Sequence, residues 1–267
     1  MLDCLLNGEI SSHLPVTDRG LHYGDGVFET MAVFNGTPRF WQYHIDRLNI
    51  GCESIGLPQV AQSVLLREVQ TVSAGHSECV VKVLITRGET GRGYAPPARP
   101  QSNRLVISFP FPGGLDVVSR RGLNTRICDL RLGIQPRLAG IKHLNRLEQV
   151  MARAEWTDPT IDEGILLDRE DHVISATAGN IFLVSNERLL TPRMDRCGVR
   201  GVMRHAVLQA FMPVTEQRRI SLDMLPEADE VFMTNAVRGI VPIIRIGHWE
   251  YDIGPQTRKL LVWLDQQ

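Results

Sequence analysis

A lysine at position 142 sits where an amine can do covalent chemistry. The stretch reads Pro136-Arg137-Leu138-Ala139-Gly140-Ile141-Lys142-His143-Leu144-Asn145-Arg146-Leu147-Glu148-Gln149-Val150. Asn145 and Glu148 have the spacing of a helix N-cap and its N3 partner, a capping box. Leu147, Val150, Met151 and Ala154 recur at i, i+3, i+4 and i+7 and predict one apolar helix face. Residues 124–130 upstream read as a strand. Lys142 therefore falls on a short loop where a strand hands over to a helix. An amine held on backbone fixed at both ends can form a Schiff base with a carbonyl cofactor. Read alone, a lysine before a helix is more often a solvated charge.

Three other stretches have the chemistry to hold an anion. Gly198-Val199-Arg200-Gly201-Val202-Met203 leads glycines into a helix start, where free N–H groups and the positive end of the dipole face outward. Arg47, in His44-Ile45-Asp46-Arg47-Leu48, lies off its helix's apolar face, so it is either solvated or reaching for an anion. Thr234-Asn235-Ala236 places polar groups at the end of a strand. Arg87, Arg92 and Tyr94, on a glycine-rich loop, could bind carboxylates, which suit arginine's planar fork; the same pattern also fits a solvated loop. The order of a Ser-His-Asp triad, a phosphate loop of the Walker type and a dinucleotide glycine fingerprint are all missing. The eight histidines give no ligand pair at i, i+4, so no metal is expected.

The elements that would position these residues fall into two lobes. Asn7-Gly8 and Asn35-Gly36 are hairpin dipeptides between short apolar runs. Helices are expected at Ile45–Cys52–Ile55, stopped by Gly56, and over 61–74; strands over 79–86 and 105–109. Phe109-Pro110-Phe111-Pro112-Gly113-Gly114 reads as a linker, since its prolines resist helix and central strand alike. The second half alternates strands (123–130, 164–167, 173–175, 180–184, 230–234, 240–246) with helices (after Lys142, 202–211, 255–264). The class is α+β, with a smaller lobe over 1–112, a linker over 113–118 and a larger lobe over 119–267 that carries Lys142.

Bulk properties narrow the function. The 267 residues carry a formal net charge of -1 with both signs interspersed, which argues against nucleic acid or an anionic membrane as partner. Five scattered cysteines without a CxxC pair read as reduced thiols of a cytoplasmic protein. The N-terminus lacks the basic and apolar regions of a signal peptide. No window approaches the roughly 18 apolar residues that span a bilayer.

Taken together, Asp18-Arg19-Gly20-Leu21-His22-Tyr23-Gly24-Asp25-Gly26-Val27-Phe28-Glu29-Thr30, His44 to Leu48, Lys142 and Ala178-Gly179-Asn180-Ile181-Phe182 resemble the fold-type IV pyridoxal-phosphate enzymes, along nearly the whole chain and in the expected order. That group includes branched-chain and D-amino-acid aminotransferases and 4-amino-4-deoxychorismate lyases. The stretch from Leu138 to Gln149, and Arg87-Gly88 with Gly91-Arg92-Gly93-Tyr94, are most similar to the lyases. The resemblance implies a two-lobed homodimer with pyridoxal 5'-phosphate between the lobes. It implies that Lys142 binds the cofactor and acts as catalytic base. Arg47, the N–H groups of Val202 and Met203, Asn235 and Ala236 would hold the phosphate. Arg92, Tyr94, Arg87 and Phe28 would meet the substrate, whose conversion gives 4-aminobenzoate and pyruvate.

Two positions depart from the family pattern. Ala236 stands where relatives often have a threonine hydroxyl. Ser175 stands where they usually have the glutamate that pairs with the pyridine nitrogen. A neutral serine implies a weaker electron sink, which should hurt transamination more than a lyase reaction drained by aromatisation. The alternatives left open are an aminotransferase for D- or branched-chain amino acids, and a cofactor-binding homologue without turnover.

Overall fold

The structure, a computed structural model, describes residues 3–114, 118 and 120–267. Met1, Leu2, Ser119 and, within the expected linker, Leu115, Asp116 and Val117 lie outside the described residues. The chain divides into two compact units, one of residues 1–112 with 141–145, the other of residues 113–140 with 146–267. The division after Pro112 falls inside the proline-glycine stretch. The five residues around Lys142 group with the first unit, whereas the sequence reading put the lysine in the C-terminal lobe.

The first unit is an antiparallel six-stranded sheet. Its strands are β1 (Cys4–Leu6), β2 (Glu9–Ile10), β3 (Gly26–Phe34), β4 (Thr37–Pro38), β5 (Glu78–Thr86) and β6 (Arg104–Pro110), in the order β2-β1-β6-β5-β3-β4. Both Asn-Gly pairs form the tight hairpins expected, with Asn7 and Asn35 at positive φ. A short helix α1 (Arg19–Tyr23) precedes β3; the sequence reading had no element there. Helices α2 (Trp41–Ser54) and α3 (Gln62–Ser73) follow the expected patterns. The core alternates along β3 and β5: Val27, Met31 and Val33 pack with Val81, Val83 and Ile85 against Ile45, Leu48 and Cys52 of α2 and Leu65 and Val69 of α3.

The second unit is a ten-stranded sheet built from β7 (Leu123–Leu132), β8 (Glu163–Asp168), β9 (His172–Ala176), β10 (Asn180–Ser185), β11 (Arg188–Pro192), β12 (Thr215–Arg218), β13 (Ile220–Ser221), β14 (Glu230–Asn235), β15 (Gly239–Ile246) and β16 (Trp249–Glu250). Strands β10-β14-β15-β7-β8-β9 form a ring, because β9 also pairs with β10 at Ser175 and Asn180. Besides its strands, this unit holds the helices α4 (Leu147–Arg153), α5 (Val202–Ala210) and α6 (Pro255–Leu264). It is built more from consecutive hairpins than from the strand–helix alternation expected, since β8 to β11 follow one another without a helix. Inside the ring pack Ile165, Val173, Ile181, Leu183, Val231, Met233, Val241 and Ile243.

No helix among the described residues is long and apolar enough to cross a membrane. All five cysteines are free thiols. Burial pushes Cys52 and Cys197 up to about 11 and Cys128 up to about 12, so these three are poor nucleophiles at neutral pH.

Candidate active site

Lys142 is pinned on both sides by main-chain bonds, though not by the helix cap that the sequence suggested. Upstream, Gly140 N–H donates to Gly198 O at 2.9 Å, and Gly140 O accepts from Arg200 N–H at 3.1 Å. At and after the lysine, Phe28 N–H donates to Lys142 O and Leu144 N–H to Gly26 O, each at 2.9 Å, so residues 142–144 run along the edge of β3. Gly26 is required for this approach, because a Cβ there would meet Ile85 O at 2.4 Å and a Leu144 methyl at 2.7 Å.

The capping box does not form. Arg146 is the N-cap of α4, Asn145 Nδ2 donates to Gly24 O at 3.0 Å, and Glu148 Oε1 accepts from Gly133 N–H at 2.8 Å. Nor does the apolar stripe pack inward. Leu147, Val150 and Met151 are 68%, 62% and 55% exposed.

The Lys142 ammonium nitrogen lies 4.3 Å from the centroid of the Phe28 ring, and the nitrogen of Lys82 lies 4.9 Å from the same centroid. On the opposite face of β3, Glu29 is 1% exposed and takes Arg47 as a bidentate partner, with Nε to Oε1 at 2.7 Å and Nη2 to Oε2 at 2.5 Å. His44, fully buried, contacts Glu29 Oε2 through Nδ1 at 2.6 Å, and its Nε2 has no partner among the described residues. Burial pushes the Glu29 carboxyl up, but Arg47 and His44 outweigh it and hold the group at about 2. Burial, offset in part by Glu29, keeps the His44 pKa below its ordinary value, so His44 supplies a hydrogen bond rather than a charge. The sequence left Arg47 either solvated or reaching for an anion. The first anion it meets is Glu29, which fixes its guanidinium plane.

The glycine-rich loop is held by the Asp18-to-Thr30 motif. Asp18 caps α1 and accepts from Thr86 and Asn103. Asp25 lies between Arg19 (2.9 Å) and Arg87 (2.8 Å). Burial acts against that carboxylate, but the two arginines hold its pKa below the ordinary value. Arg19 then donates to the carbonyls of Gly93 and Tyr94. Arg87 is buried, with Nε on Asp25, Nη1 on Gly56 O and Nη2 on Ile55 O. Its fork, expected to meet a substrate carboxylate, is occupied within the protein, and Arg87 shapes the loop. Arg92 and Tyr94 are exposed on the same loop, the Tyr94 ring lying 5.4 Å from that of Tyr23.

In the second unit the register sets Ser175, Asn180 and Thr234 side by side on β9, β10 and β14. A bulge at Ile174 lets Val173 and Ala176 both face the ring core while Ser175 pairs with Leu166. The loop before α5 lies along this row, tied by Asn180 Nδ2 to Val199 O at 2.9 Å. The N-cap of α5 is Gly201, which offers no side-chain cap to the N–H groups of Val202 and Met203. Thr234 is 1% exposed, and its hydroxyl has no partner among the described residues. Uncapped N–H groups beside an orphaned hydroxyl make a donor set that fits a phosphate. The Asn235 side chain is engaged in its own turn, accepting from Val237 and Arg238 and donating to Ala178 O.

Gly201 has no room for a side chain, since a Cβ would stand 2.0 Å from Asn180 Oδ1. Gly201→Ala is expected to cost about 1–3 kcal/mol, read as a lower urea midpoint, and to loosen the start of α5.

Sequence reasoning did not single out Glu29, His44 or Lys82, and it named Thr234 only as part of the Thr234-Asn235-Ala236 stretch. For Glu29 a signal was present: a carboxylate in the inward-facing series Val27, Glu29, Met31, Val33 has to be paired.

Comparison with known proteins places this arrangement. The model of the class IV amino-transferases matches residues 26–246. The chain belongs to that family. An aminodeoxychorismate lyase of Vibrio harveyi is 34% identical over 262 residues, covering 96% of this chain and 97% of the relative. The crystal structure of 4-amino-4-deoxychorismate lyase from Pseudomonas aeruginosa superposes with a TM-score of 0.94 at 40% identity, covering 99% of this chain and 98% of that one. A putative branched-chain-amino-acid aminotransferase of Methanocaldococcus jannaschii is 29% identical over 269 residues, covering 96% and 92%.

Proposed function

We propose that this class IV amino-transferase homologue is a pyridoxal-phosphate-dependent lyase that converts 4-amino-4-deoxychorismate to 4-aminobenzoate and pyruvate, a step toward folate. The observation that carries the reading is the setting of Lys142, an amine on backbone pinned at Gly140, Lys142 and Leu144 and laid against an aromatic ring. The two lyases similar to nearly the whole chain support this substrate over others.

In this reading Lys142 carries the cofactor. Arg47, the N–H groups of Val202 and Met203 and the main chain at Asn235 and Ala236 hold its phosphate, and the Thr234 hydroxyl offers a further donor. When bound, the cofactor supplies the electron-withdrawing ring that acidifies the carbon bearing the substrate amine. The Lys142 amine takes the proton from that carbon as general base. The enolpyruvyl oxygen leaves from the neighbouring carbon, the ring becomes aromatic, and the proton returns from Lys142 to the departing group to give pyruvate. Phe28 forms a wall beside the amine, and Arg92 and Tyr94 reach a substrate carboxylate. Because the side chains of Leu147, Val150 and Met151 stand exposed on one short helix, the same proposal includes a homodimer that covers them. It also includes a cytoplasmic location, where free thiols persist.

Product formation tests the reading. Substrate generated in situ from chorismate is given to the cofactor-loaded protein, and 4-aminobenzoate is separated by chromatography. Its absence overturns the lyase assignment.

Amino transfer from a D- or branched-chain amino acid is the second reading, favoured by the Methanocaldococcus relative. Ser175 favours the lyase reading over it. Its hydroxyl stands in the row with Asn180 and Thr234, and it brings no negative charge to that row. Ser175→Glu is expected to raise keto-acid-dependent amino transfer by at least about tenfold, a change of about 1.4 kcal/mol in the barrier, while 4-aminobenzoate formation does not rise. An unchanged transfer rate removes this account of Ser175.

A further inference from the structure

Lys82 breaks the pattern of its strand. It lies in the middle of β5, an interior strand, with Val80 and Leu84 at i−2 and i+2. Across the sheet it pairs with Thr30 on β3 and Ile107 on β6. Glu29 points to the face that α2 covers, so by alternation Phe28, Thr30 and Lys82 occupy the other face. The ammonium is half-buried, and burial pulls its pKa below the ordinary lysine value. Among the described residues it has no hydrogen bond and no carboxylate within ion-pair distance. Among the described residues the ring it meets is that of Phe28.

A half-buried ammonium that no acid neutralises is costly unless an anion completes it. The ring it rests on is the ring that holds the Lys142 nitrogen. The two nitrogens are therefore no farther apart than their two ring distances taken together, 4.3 Å and 4.9 Å. A small substrate can therefore reach both, with its reacting carbon at one amine and a carboxylate at the other. The substrate under "Proposed function" carries two carboxylates and must present its amine-bearing carbon to Lys142.

We propose that Lys82 is a substrate-positioning residue, whose ammonium binds one of the substrate's carboxylates beside the Phe28 ring that Lys142 also meets. The inference rests on the lyase reading for the identity of the substrate, and on the geometry for the carboxylate. Arg92 and Tyr94 are left for the second carboxylate.

The test compares the cofactor-loaded parent with Lys82→Met and Lys82→Arg. A charge-assisted hydrogen bond contributes about 1.5–3 kcal/mol, so Lys82→Met should raise KM about 10–100-fold while kcat stays within a few-fold. Lys82→Arg should recover much of the loss. Inhibition by 4-aminobenzoate and by pyruvate tells which carboxylate is held, because only the product retaining that group should weaken in Lys82→Met. Equal KM in parent and Lys82→Met overturns the proposal. So does a loss that Lys82→Arg fails to recover and that accompanies a change in oligomeric state by light scattering, since Lys82 would then serve an interface. Equilibrium binding of chorismate, which carries both carboxylates and a hydroxyl in place of the amine, separates this inference from the lyase reading. If the parent fails to make 4-aminobenzoate, weaker chorismate binding by Lys82→Met than by the parent still upholds the carboxylate site. Equal or absent binding in both overturns it.

Discussion

Lys142→Ala is expected to lower 4-aminobenzoate formation by at least about 10³-fold, because in the proposed mechanism one side chain both carries the cofactor and moves the proton. General acid–base catalysis alone contributes roughly 10²–10⁴-fold, and loss of the covalent attachment adds to that. The fold should survive. The bonds that place this segment run through the main chain of Gly140, Lys142 and Leu144 and do not involve the amine. The side chain's contact with the Phe28 ring, about 0.5–2 kcal/mol, is lost. Borohydride reduction of the loaded parent should fix the cofactor to a peptide containing Lys142, and the variant should show no such peptide. Residual turnover within tenfold of the parent would mean that another group is the base.

The buried trio of Glu29, Arg47 and His44 predicts the largest effect on stability. Glu29→Gln removes the charge that Arg47 answers and leaves a guanidinium only 12% exposed facing an amide. Breaking a buried pair on one side costs about 3–5 kcal/mol. The variant should therefore show a clearly lower urea midpoint at pH 7 and weaker cofactor retention, because the arginine plane is no longer fixed.

The pH dependence has a definite sign. The folded pKa of Glu29, about 2, lies below the ordinary 4.5. Its contribution, about 3 kcal/mol, is therefore fully present above pH 4.5 and is lost as pH falls toward 2. His44 has a folded pKa below 6.5, so the unfolded chain binds its proton first, and stability again falls on acidification below that value. Both groups act in the same direction. In Glu29→Gln the limb below pH 4.5 should flatten, read as a smaller change in urea midpoint between pH 5 and pH 3 than in the parent.

Local spacing revealed elements better than it revealed what faces them. The hairpins at Asn7-Gly8 and Asn35-Gly36, the helix closed by Gly56 and the strands of β5 and β15 all follow from residue pattern, because turn chemistry and alternation are local. The capping box failed because Asn145 has a better use at Gly24, 121 residues away, and Glu148 at Gly133. The stripe of Leu147, Val150 and Met151 has helical spacing, but periodicity cannot say whether an apolar face meets its own chain. At the candidate site, Lys142, Phe28 and Arg47 were legible as members of motifs. Arg87 was read as free because its partners, Asp25, Ile55 and Gly56, come together only in three dimensions. Lys82 lay hidden in a run that reads as a buried strand, CVVKVLIT, where one charge among seven uncharged residues was the signal.

The lysine segment belongs by its contacts to a unit whose remaining residues end 29 positions before it begins, at Pro112. The first unit is thus not contiguous in the chain. A ribosome that has released residues 1–112 has made all six strands of the sheet, but not the segment that lies along Gly26 and Phe28. Until residue 144 emerges, that stretch of β3 keeps unpaired main-chain groups at its edge, the kind of edge on which other chains can pair. The order of synthesis therefore fixes when the edge is covered. Lys142 arrives with the same few residues that cover that edge, so a truncated product ending in the linker would have both a bare edge and no Lys142.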